Sequence, residues 1–373
     1  MKFLSVLAGT ALLAFGSARA QQADLVDKRA TNETKALYRN LHKLAENHTL
    51  FGHQHATEYG HGWHGDADRS DAKSVTGSHP AVIGIDFNTI TDGNPGALER
   101  GRRFLKKIVE DTYNRGGVVT AAWHFSNPVS GGGFYWIDSI SKPAVKYIIP
   151  GGQAHDQYKK ILQGIADWAR SLKGKDGRNV PLIFRPYHEF DGDWFWWGAG
   201  HCTKDEFTSL WRFTVTYLRD SLGVHNFIYA FSPDNKFSTE EQFLARYPGD
   251  EWVDLVGMDN YGDMGRDGRY NLEAAIKKLS IVDGYARKAG KLAAFTETGL
   301  ESIPDTAWYT ETLLKVMRAK DMRLCYVLVW RNDRQSPTHY YVPFPGHQSV
   351  PDFIRFYNDP YTLFENDLKG IYR

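Results

Sequence analysis

The sequence predicts one α/β domain, a (β/α)₈ barrel with its active site at the carboxyl ends of the strands. Three observations support this. Eight short apolar or β-branched runs recur along the chain, amphipathic helical patterns lie between them, and each run ends in polar or aromatic residues. Buried parallel strands that alternate with helices are typical of such barrels. In this fold, the residues that carry chemistry lie where the strands end.

The predicted strands are three to five residues long and rich in Val, Ile, Leu and Phe. They are Thr49 to Gly52, Ala81 to Ile85, Val118 to Ala122, Leu182 to Phe184, Phe227 to Phe231, Leu255 to Met258, Leu292 to Phe295 and Tyr326 to Val329. Between them, an apolar stripe of helical period predicts a helix over 154–173. A second helix, over 203–221, begins with a capping box of Thr203 and Glu206. Trp168 and Trp211 lie on these stripes and are expected in the core.

Polar and aromatic side chains follow every predicted strand. In order they are His53-Gln54-His55, Asp86, Trp123-His124, Arg185 to Glu189, Ser232-Pro233-Asp234, Asp259 with Tyr261, Glu297, and Trp330-Arg331. The carboxyl ends of barrel strands meet at one face, so these residues are expected to line one cleft. Two long connections, 57–80 and 126–152, should shape its walls.

Composition narrows the class of ligand. The chain has 45 basic and 44 acidic residues and a formal net charge of +1. Nothing in this balance steers the protein toward nucleic acid or anionic lipid, so a neutral ligand fits best. Aromatic residues make up 14% of the chain and include 11 tryptophans. Such an excess of rings is common where sugars are bound.

The first twenty residues have the pattern of a secretory signal peptide. Lys2 precedes an apolar run from Phe3 to Phe15, and Ala18-Arg19-Ala20 supplies a cleavage site before Gln21. We therefore expect residues 1–20 to be removed, residues 21–373 to form the catalytic barrel, and the protein to be secreted or periplasmic. The two cysteines, Cys202 and Cys325, match no metal or redox motif, and their pairing is left open.

Two glutamates suggest glycosidic bond cleavage. Glu189 lies in FRPYHEFDGDWFWWG, residues 184–198, where charged groups stand beside tryptophans. Glu297 lies in FTETG, residues 295–299, at the end of another predicted strand. Glycosidases commonly use two carboxyl groups, one to protonate the leaving oxygen and one to attack or stabilise the anomeric carbon. A pair of carboxyls at two strand ends fits that chemistry.

These motifs resemble glycoside hydrolase family 26, which consists chiefly of β-1,4-mannanases on a (β/α)₈ barrel. The segments that carry the resemblance span nearly the whole chain in the family's order. They are FGHQ at 51–54, TAAWHF at 120–125, HEFDGDWFWWG at 188–198, FSPD at 231–234, DLVGMDNYG at 254–262, FTETG at 295–299 and VLVWRN at 327–332.

The resemblance implies a role for each candidate residue. Glu189 would be the acid/base and Glu297 the nucleophile of a retaining, double-displacement reaction. Arg185, His188 and Asp259 would surround the sugar at the cleavage point, with Tyr261 holding the nucleophile through its hydroxyl group. The residues implied to line neighbouring subsites are His124, Trp194, Phe231 and Trp330.

Two other classes of function have some support in the sequence. His53 and His55 at the first strand end, with His61 and His64 beyond, resemble the start of a zinc hydrolase site, but the fifth, sixth and eighth strands end without histidine. The prediction is therefore no metal and no cofactor. A sugar-binding protein without activity would not need both glutamates, and both are present.

The resemblance favours β-mannan polysaccharides and manno-oligosaccharides as substrates. Endo action is the default expectation, and the protein is expected to act as a monomer. Release of mannobiose from chain ends, or action on β-1,3-xylan or mixed-linkage β-glucan, remains an alternative. The sequence does not distinguish an axial from an equatorial hydroxyl at carbon 2, nor does it show whether the long loops block the cleft.

Overall fold

A computed structural model of the protein describes residues 24–373. Its eight main strands, numbered β1 to β8 along the chain, pair in parallel with their sequence neighbours, and β8 pairs with β1 to close a barrel. They are Thr49–Gln54, Val82–Asp86, Val118–Trp123, Leu182–Pro186, Phe227–Phe231, Leu255–Asp259, Leu292–Thr298 and Leu324–Val329. The predicted (β/α)₈ barrel is confirmed, and each predicted run corresponds to one strand.

Helices fill the connections between the strands. The α-helices are Asn32–Leu44, Asp71–Thr76, Asn88–Thr91, Pro95–Arg115, Val145–Ile148, His155–Ser171, Lys204–Thr216, Glu240–Phe243, Leu272–Ala289, Lys315–Arg318 and Val350–Tyr357. Single turns of π-helix at Tyr217–Ser221 and Tyr309–Leu314 adjoin two of them. The predicted capping box is present: the Glu206 amide donates to Thr203 Oγ1, and the Thr203 amide donates to Glu206 Oε2.

Minor elements complete the fold. Turns of 3₁₀-helix lie at Asp250–Trp252, Arg266–Gly268, Ala319–Asp321 and Glu365–Asp367. The short strand Thr362–Leu363 pairs with β1, and Tyr59–Gly60 pairs with Trp63–His64 in a separate hairpin.

The strands divide the apolar core into two parts. Along β5, Phe227, Tyr229 and Phe231 belong to the larger core, which packs against the helices, whereas Ile228 and Ala230 belong to the smaller core inside the barrel. This is the alternation that a pleated strand imposes. The helix Asn32–Leu44 closes the amino end of the barrel, and its Tyr38 hydroxyl donates to the Asp254 carbonyl at 3.3 Å.

Several sequence expectations can be placed on this fold. Trp168 and Trp211 are buried, as predicted. Cys202 and Cys325 are both buried and unpaired. The segment predicted to be a signal peptide, residues 1–20, lies outside the described residues. Within residues 24–373, no helix has both the length and the apolar composition that crossing a bilayer requires.

Two helical glycines should respond oppositely to substitution by alanine. A Cβ at Gly101, in the helix Pro95–Arg115, would lie 2.1 Å from the Thr89 backbone oxygen, so Gly101→Ala should lower the free energy of unfolding by about 1–3 kcal/mol. A Cβ at Gly284, in the helix Leu272–Ala289, would meet nothing within 4 Å, so Gly284→Ala should raise it by up to about 1 kcal/mol. Urea unfolding of both variants checks this, and equal effects would contradict it.

Candidate active site

The centre of the cleft is a buried arginine between two carboxylates. Arg185, near the end of β4, donates from Nη1 to Asp259 Oδ2 at 2.6 Å and from Nη2 to Glu297 Oε2 at 2.5 Å. All three side chains are at most 6% exposed. Burial disfavours the charged guanidinium, but the charges of Asp259 and Glu297 outweigh that cost and raise the pKa of Arg185. The arginine therefore remains a fixed cation.

The sheet geometry brings these three groups together. Asp259, the last residue of β6, is paired in register with Glu297 near the end of β7, and a register shift next to this pair marks a bulge. Bulges commonly re-aim side chains next to active sites. Thr296 Oγ1 donates to Asp259 Oδ1 at 2.7 Å, and Tyr261 Oη donates to Glu297 Oε1 at 2.8 Å. Both oxygens of Glu297 thus act as hydrogen-bond acceptors.

Glu189 lies in a different environment. Its side chain is partly buried and accepts a hydrogen bond from the Trp194 indole Nε1 at 2.7 Å. Burial, followed by the nearby charges of Glu297, Asp259 and Asp234, raises the pKa of Glu189 well above its usual value. A carboxyl with a raised pKa can hold a proton near neutral pH.

The backbone that presents Glu189 is strained. Glu189 has φ of 52° and Tyr187 has φ of 50°, both in the left-handed region that residues other than glycine seldom adopt. The Glu189 amide donates to the Ser232 carbonyl at 2.9 Å, which ties the end of β4 to the end of β5. Strained backbone of this kind is often found at functional sites.

Two histidines lie close to these carboxylates and to each other. His188 is 1% exposed, its Nδ1 has no hydrogen-bond partner within residues 24–373, and its ring lies 4.6 Å from the His124 ring, edge to face. Burial, and then the positive charge of Arg185, lower the pKa of His188 well below its usual value. A neutral imidazole with a free nitrogen is suited to a hydroxyl group. His124 is held by Asp86, with His124 Nδ1 and Asp86 Oδ2 2.5 Å apart.

Trp330 and Trp194 lie next to other predicted site residues. The Trp330 ring lies 5.8 Å from the His124 ring, and Trp330 is only partly buried. Trp194 is partly buried, and the Lys236 ammonium lies 4.6 Å from its ring centroid. Since its indole N–H is bonded to Glu189, Trp194 holds a carboxyl as well as offering an aromatic surface.

The prediction for Phe231 is wrong. Its side chain is fully buried, with ring centroids 4.7 Å from Phe190 and 5.6 Å from Trp211. Phe231 is the last residue of β5. It lies on the same face of the strand as Phe227 and Tyr229, so its side chain points toward the helices. It supports the strand carrying Ser232, whose hydroxyl accepts from Arg185 at 3.2 Å, and cannot stack on a sugar.

Sequence reasoning missed Tyr135. The long connection 126–152 is fixed to the segment after β4, since the Trp136 amide donates to the Trp194 carbonyl at 2.7 Å. Tyr135 stacks on Phe195 at 5.5 Å and is 54% exposed. Burial, and then the charges of Glu189 and Glu297, raise the pKa of the Tyr135 hydroxyl. The run Phe134-Tyr135-Trp136 after three glycines was the available signal.

The histidines of the zinc hypothesis do not converge. His55 pairs with Glu58 at 2.7 Å, and His61 stacks on Phe344 at 3.7 Å. His53 is fully buried, which lowers its pKa to about 3. In the described part of the chain, the group of three possible metal ligands is His188, Asp259 and Glu297, whose ligand atoms lie within 4.8 Å of one another. There, Arg185 already supplies a positive charge to both carboxylates.

A family model described as "Glycosyl hydrolase family 26" matches residues 26–337. The chain belongs to this family. Two solved structures of the family superpose closely. GH26C from Muricauda sp. MAR_2010_75 is 38% identical with a TM-score of 0.88, and covers 97% of this chain and 99% of that one. A GH26 β-mannanase from Bacteroides ovatus is 39% identical with a TM-score of 0.85, and covers 92% of this chain and 98% of that one.

Two curated relatives of this family 26 chain are longer proteins. A mannan endo-1,4-β-mannosidase of Bifidobacterium adolescentis is 31% identical over 95% of this chain, but the match spans 36% of that protein. A mannan endo-1,4-β-mannosidase of Caldalkalibacillus mannanilyticus is 26% identical over 86% of this chain and 60% of its own length. The chain thus spans about a third of the length of the first relative and three fifths of the length of the second.

Removing the indole N–H of Trp194 should change the pH dependence of this family 26 site. That bond favours the ionised form of Glu189 and lowers its pKa, so Trp194→Phe should raise the pKa further. If Glu189 must be protonated, the basic limb of the profile of kcat/KM against pH should move to higher pH. Trp136→Phe is the control, because its indole donates to Asp138 instead. A shift to lower pH, or equal shifts in both variants, would contradict this assignment.

Proposed function

We propose that the protein is a retaining endo-β-1,4-mannanase that acts on mannan and manno-oligosaccharides. The observation that carries this proposal is the contrast between two glutamates at the ends of β4 and β7. Burial raises the pKa of Glu189, while both oxygens of Glu297 accept hydrogen bonds from Arg185 and Tyr261. One carboxyl is suited to donate a proton and the other to attack the anomeric carbon. Retaining glycosidases use two carboxyl groups in these two roles.

In the first step, a carboxylate oxygen of Glu297 attacks the anomeric carbon, and Glu189 donates its proton to the departing glycosidic oxygen. In the second step, Glu189 removes a proton from water, which attacks the glycosyl ester and releases Glu297. Neutral His188, with its free Nδ1, is placed to bond a hydroxyl of the sugar between the glutamates. Arg185 and Tyr261 keep Glu297 oriented through both steps.

The choice of β-mannan rests on relatives. Proteins named mannan endo-1,4-β-mannosidase match most of this chain in Bifidobacterium adolescentis and in Bacillus subtilis. The near-neutral charge of the chain suits an uncharged polysaccharide. Exo release of mannobiose, and cleavage of β-1,3-xylan or mixed-linkage β-glucan, are the competing activities. The proposal also includes export, from the pattern of residues 1–20, and action as a monomer.

Purified protein should convert unsubstituted mannohexaose to a mixture of shorter manno-oligosaccharides from the first minutes, because an open cleft binds the chain in several registers. Chromatography of the products over time checks this, with xylan and mixed-linkage glucan as parallel substrates and a chelator control. Proton NMR of the same digest should detect the β-anomer first if configuration is retained.

If mannobiose is the only early product, the enzyme acts from chain ends, and the proposal of endo action is wrong. Cleavage of xylan or glucan in place of mannan would overturn the substrate, and an α-anomer first would overturn retention.

Glu297→Ala should lower kcat by roughly 10⁴-fold or more, because it removes the attacking group. Calorimetry should still detect binding of mannohexaose, since the aromatic walls of the cleft are unchanged. Glu311→Ala is the control, because that exposed glutamate lies on the outer helices, where it pairs with Lys315. Residual hydrolysis near the wild-type rate would eliminate Glu297 as the nucleophile.

The loss of rate caused by Glu189→Ala should depend on the leaving group of the substrate. Natural oligosaccharides need a proton on the departing oxygen, so their rate should fall by roughly 10²- to 10⁴-fold. Aryl mannosides with an acidic phenol need little protonation, and release of the phenol should be much less affected. Steady-state rates on both substrates check this, and equal losses would reassign Glu189.

A further inference from the structure

Three buried hydroxyl groups meet beside the end of β4, outside the cleft. Tyr187 directly follows β4, Tyr158 lies in the helix His155–Ser171, and Thr214 lies in the helix Lys204–Thr216. All three side chains are fully buried. We call these three residues the hydroxyl cluster. It joins the end of the strand to the helix that precedes it in the chain and to the helix that follows it.

The hydroxyl cluster has enough hydrogens for a continuous series of hydrogen bonds. Tyr158 Oη and Tyr187 Oη lie 2.6 and 3.0 Å from Thr214 Oγ1, and the two tyrosine hydroxyls are in contact. Thr214 Oγ1 donates to the Leu210 carbonyl at 2.7 Å. Each hydroxyl carries one hydrogen, so three donations in series, from Tyr187 through Tyr158 and Thr214, end on this carbonyl. Burial raises the pKa of both tyrosine hydroxyls, which therefore keep their hydrogens.

The backbone that the cluster anchors is strained. Tyr187 and Glu189 have φ of 50° and 52°, and His188 lies between them. The Trp197 indole Nε1 donates to the His188 carbonyl at 2.8 Å, and the Glu189 amide donates to the Ser232 carbonyl at 2.9 Å. A strained turn persists only where surrounding contacts hold it in place. The side chain of Tyr187 supplies a third contact of this kind.

The hydroxyl group fixes the Tyr187 side chain more closely than its ring does. The ring is packed among other rings, with the centroids of Trp123 and Trp211 at 5.8 and 6.3 Å. Burial of apolar rings is non-directional, whereas a hydrogen bond weakens steeply when its angle departs from linear. Because the hydroxyl lies at the outer end of the side chain, its bonds to residues of two helices fix where the ring and the attached backbone lie.

We propose that Tyr187 is a positioning residue for the acid/base step, because its hydroxyl holds the turn that directs the Glu189 carboxyl toward the departing glycosidic oxygen. This inference rests on the proposed function, in which Glu189 protonates that oxygen. Without the anchor, the turn relaxes toward common backbone angles and Glu189 moves with it. Proton transfer requires the carboxyl within hydrogen-bond distance of the oxygen, so a displacement of about 1 Å lowers the rate by roughly a hundredfold.

Four variants test this role. Tyr187→Phe removes the hydroxyl and keeps the ring. Thr214→Val interrupts the series of bonds at another member, and Thr214→Ser restores a hydroxyl there. Tyr229→Phe is the matched control, because this tyrosine is also fully buried and its hydroxyl has no hydrogen-bond partner among residues 24–373. The readout is kcat/KM on mannohexaose and on an aryl β-mannobioside with an acidic phenol, with Glu189→Ala measured alongside.

Tyr187→Phe should lower kcat/KM on mannohexaose by roughly 10- to 100-fold. On the aryl mannobioside the loss should be less than about threefold, because an acidic phenol departs without protonation. Thr214→Val should show the same dependence on the leaving group, and Thr214→Ser should resemble the wild type. Tyr229→Phe should leave both values unchanged. Circular dichroism checks that each variant is folded at the assay temperature, and the two Thr214 variants decide the question if Tyr187→Phe does not fold.

Equal losses on the two substrates would overturn the inference, because the effect would then act through sugar binding or through folding. Wild-type values for both Tyr187→Phe and Thr214→Val would also overturn it. The proposed function is tested separately by Glu189→Ala. If that variant loses activity equally on both substrates, the acid role of Glu189 is wrong and the role of Tyr187 is wrong with it. If the losses depend on the leaving group in Glu189→Ala alone, the proposed function stands and only the role of Tyr187 is wrong.

Discussion

The buried charge of Arg185 is the constraint on which the rest of the site depends. A guanidinium that is 2% exposed cannot be hydrated, so it must be neutralised by partners within the protein. Asp259 and Glu297 supply that charge, Ser232 supplies a hydroxyl acceptor, and the three partners lie at or just after the ends of β6, β7 and β5. Removal of one partner leaves a charge uncompensated, so the arginine holds these strand ends in one arrangement.

The difference between the two glutamates follows from where the donors lie. Glu297 is surrounded by the cation of Arg185 and the hydroxyl of Tyr261, whereas Glu189 has one neutral donor, the indole of Trp194, and otherwise faces apolar surroundings and other carboxylates. The same side chain can thus serve as acid in one place and as attacking group in another. The left-handed backbone at Glu189 shows that this placement costs conformational energy, which the hydrogen bond to the Ser232 carbonyl helps to offset.

The loops around this centre are themselves built structures. Backbone hydrogen bonds fasten the connection 126–152 to the segment that carries Trp194, and the loops after β7 and β8 are joined at Ser302. The residues at the strand ends are therefore positioned by the barrel, while the walls around them are positioned by bonds between loops.

The sequence by itself determined the eight strands, their order and the residues at their ends, because buried parallel strands are short, apolar and rich in branched side chains, and these properties are local. It also determined the glutamate pair and the histidine and arginine beside it, through motifs spread over the chain. Only the tertiary structure decided which strand-end residues face the cleft. Phe231 lies on the same face of its strand as Phe227 and Tyr229 and packs against the helices, whereas Tyr135, in a loop with no periodic pattern, stacks on Phe195 in the segment after β4. The pKa of Glu189 likewise depends on groups distant in sequence, since burial and charge are properties of the folded arrangement.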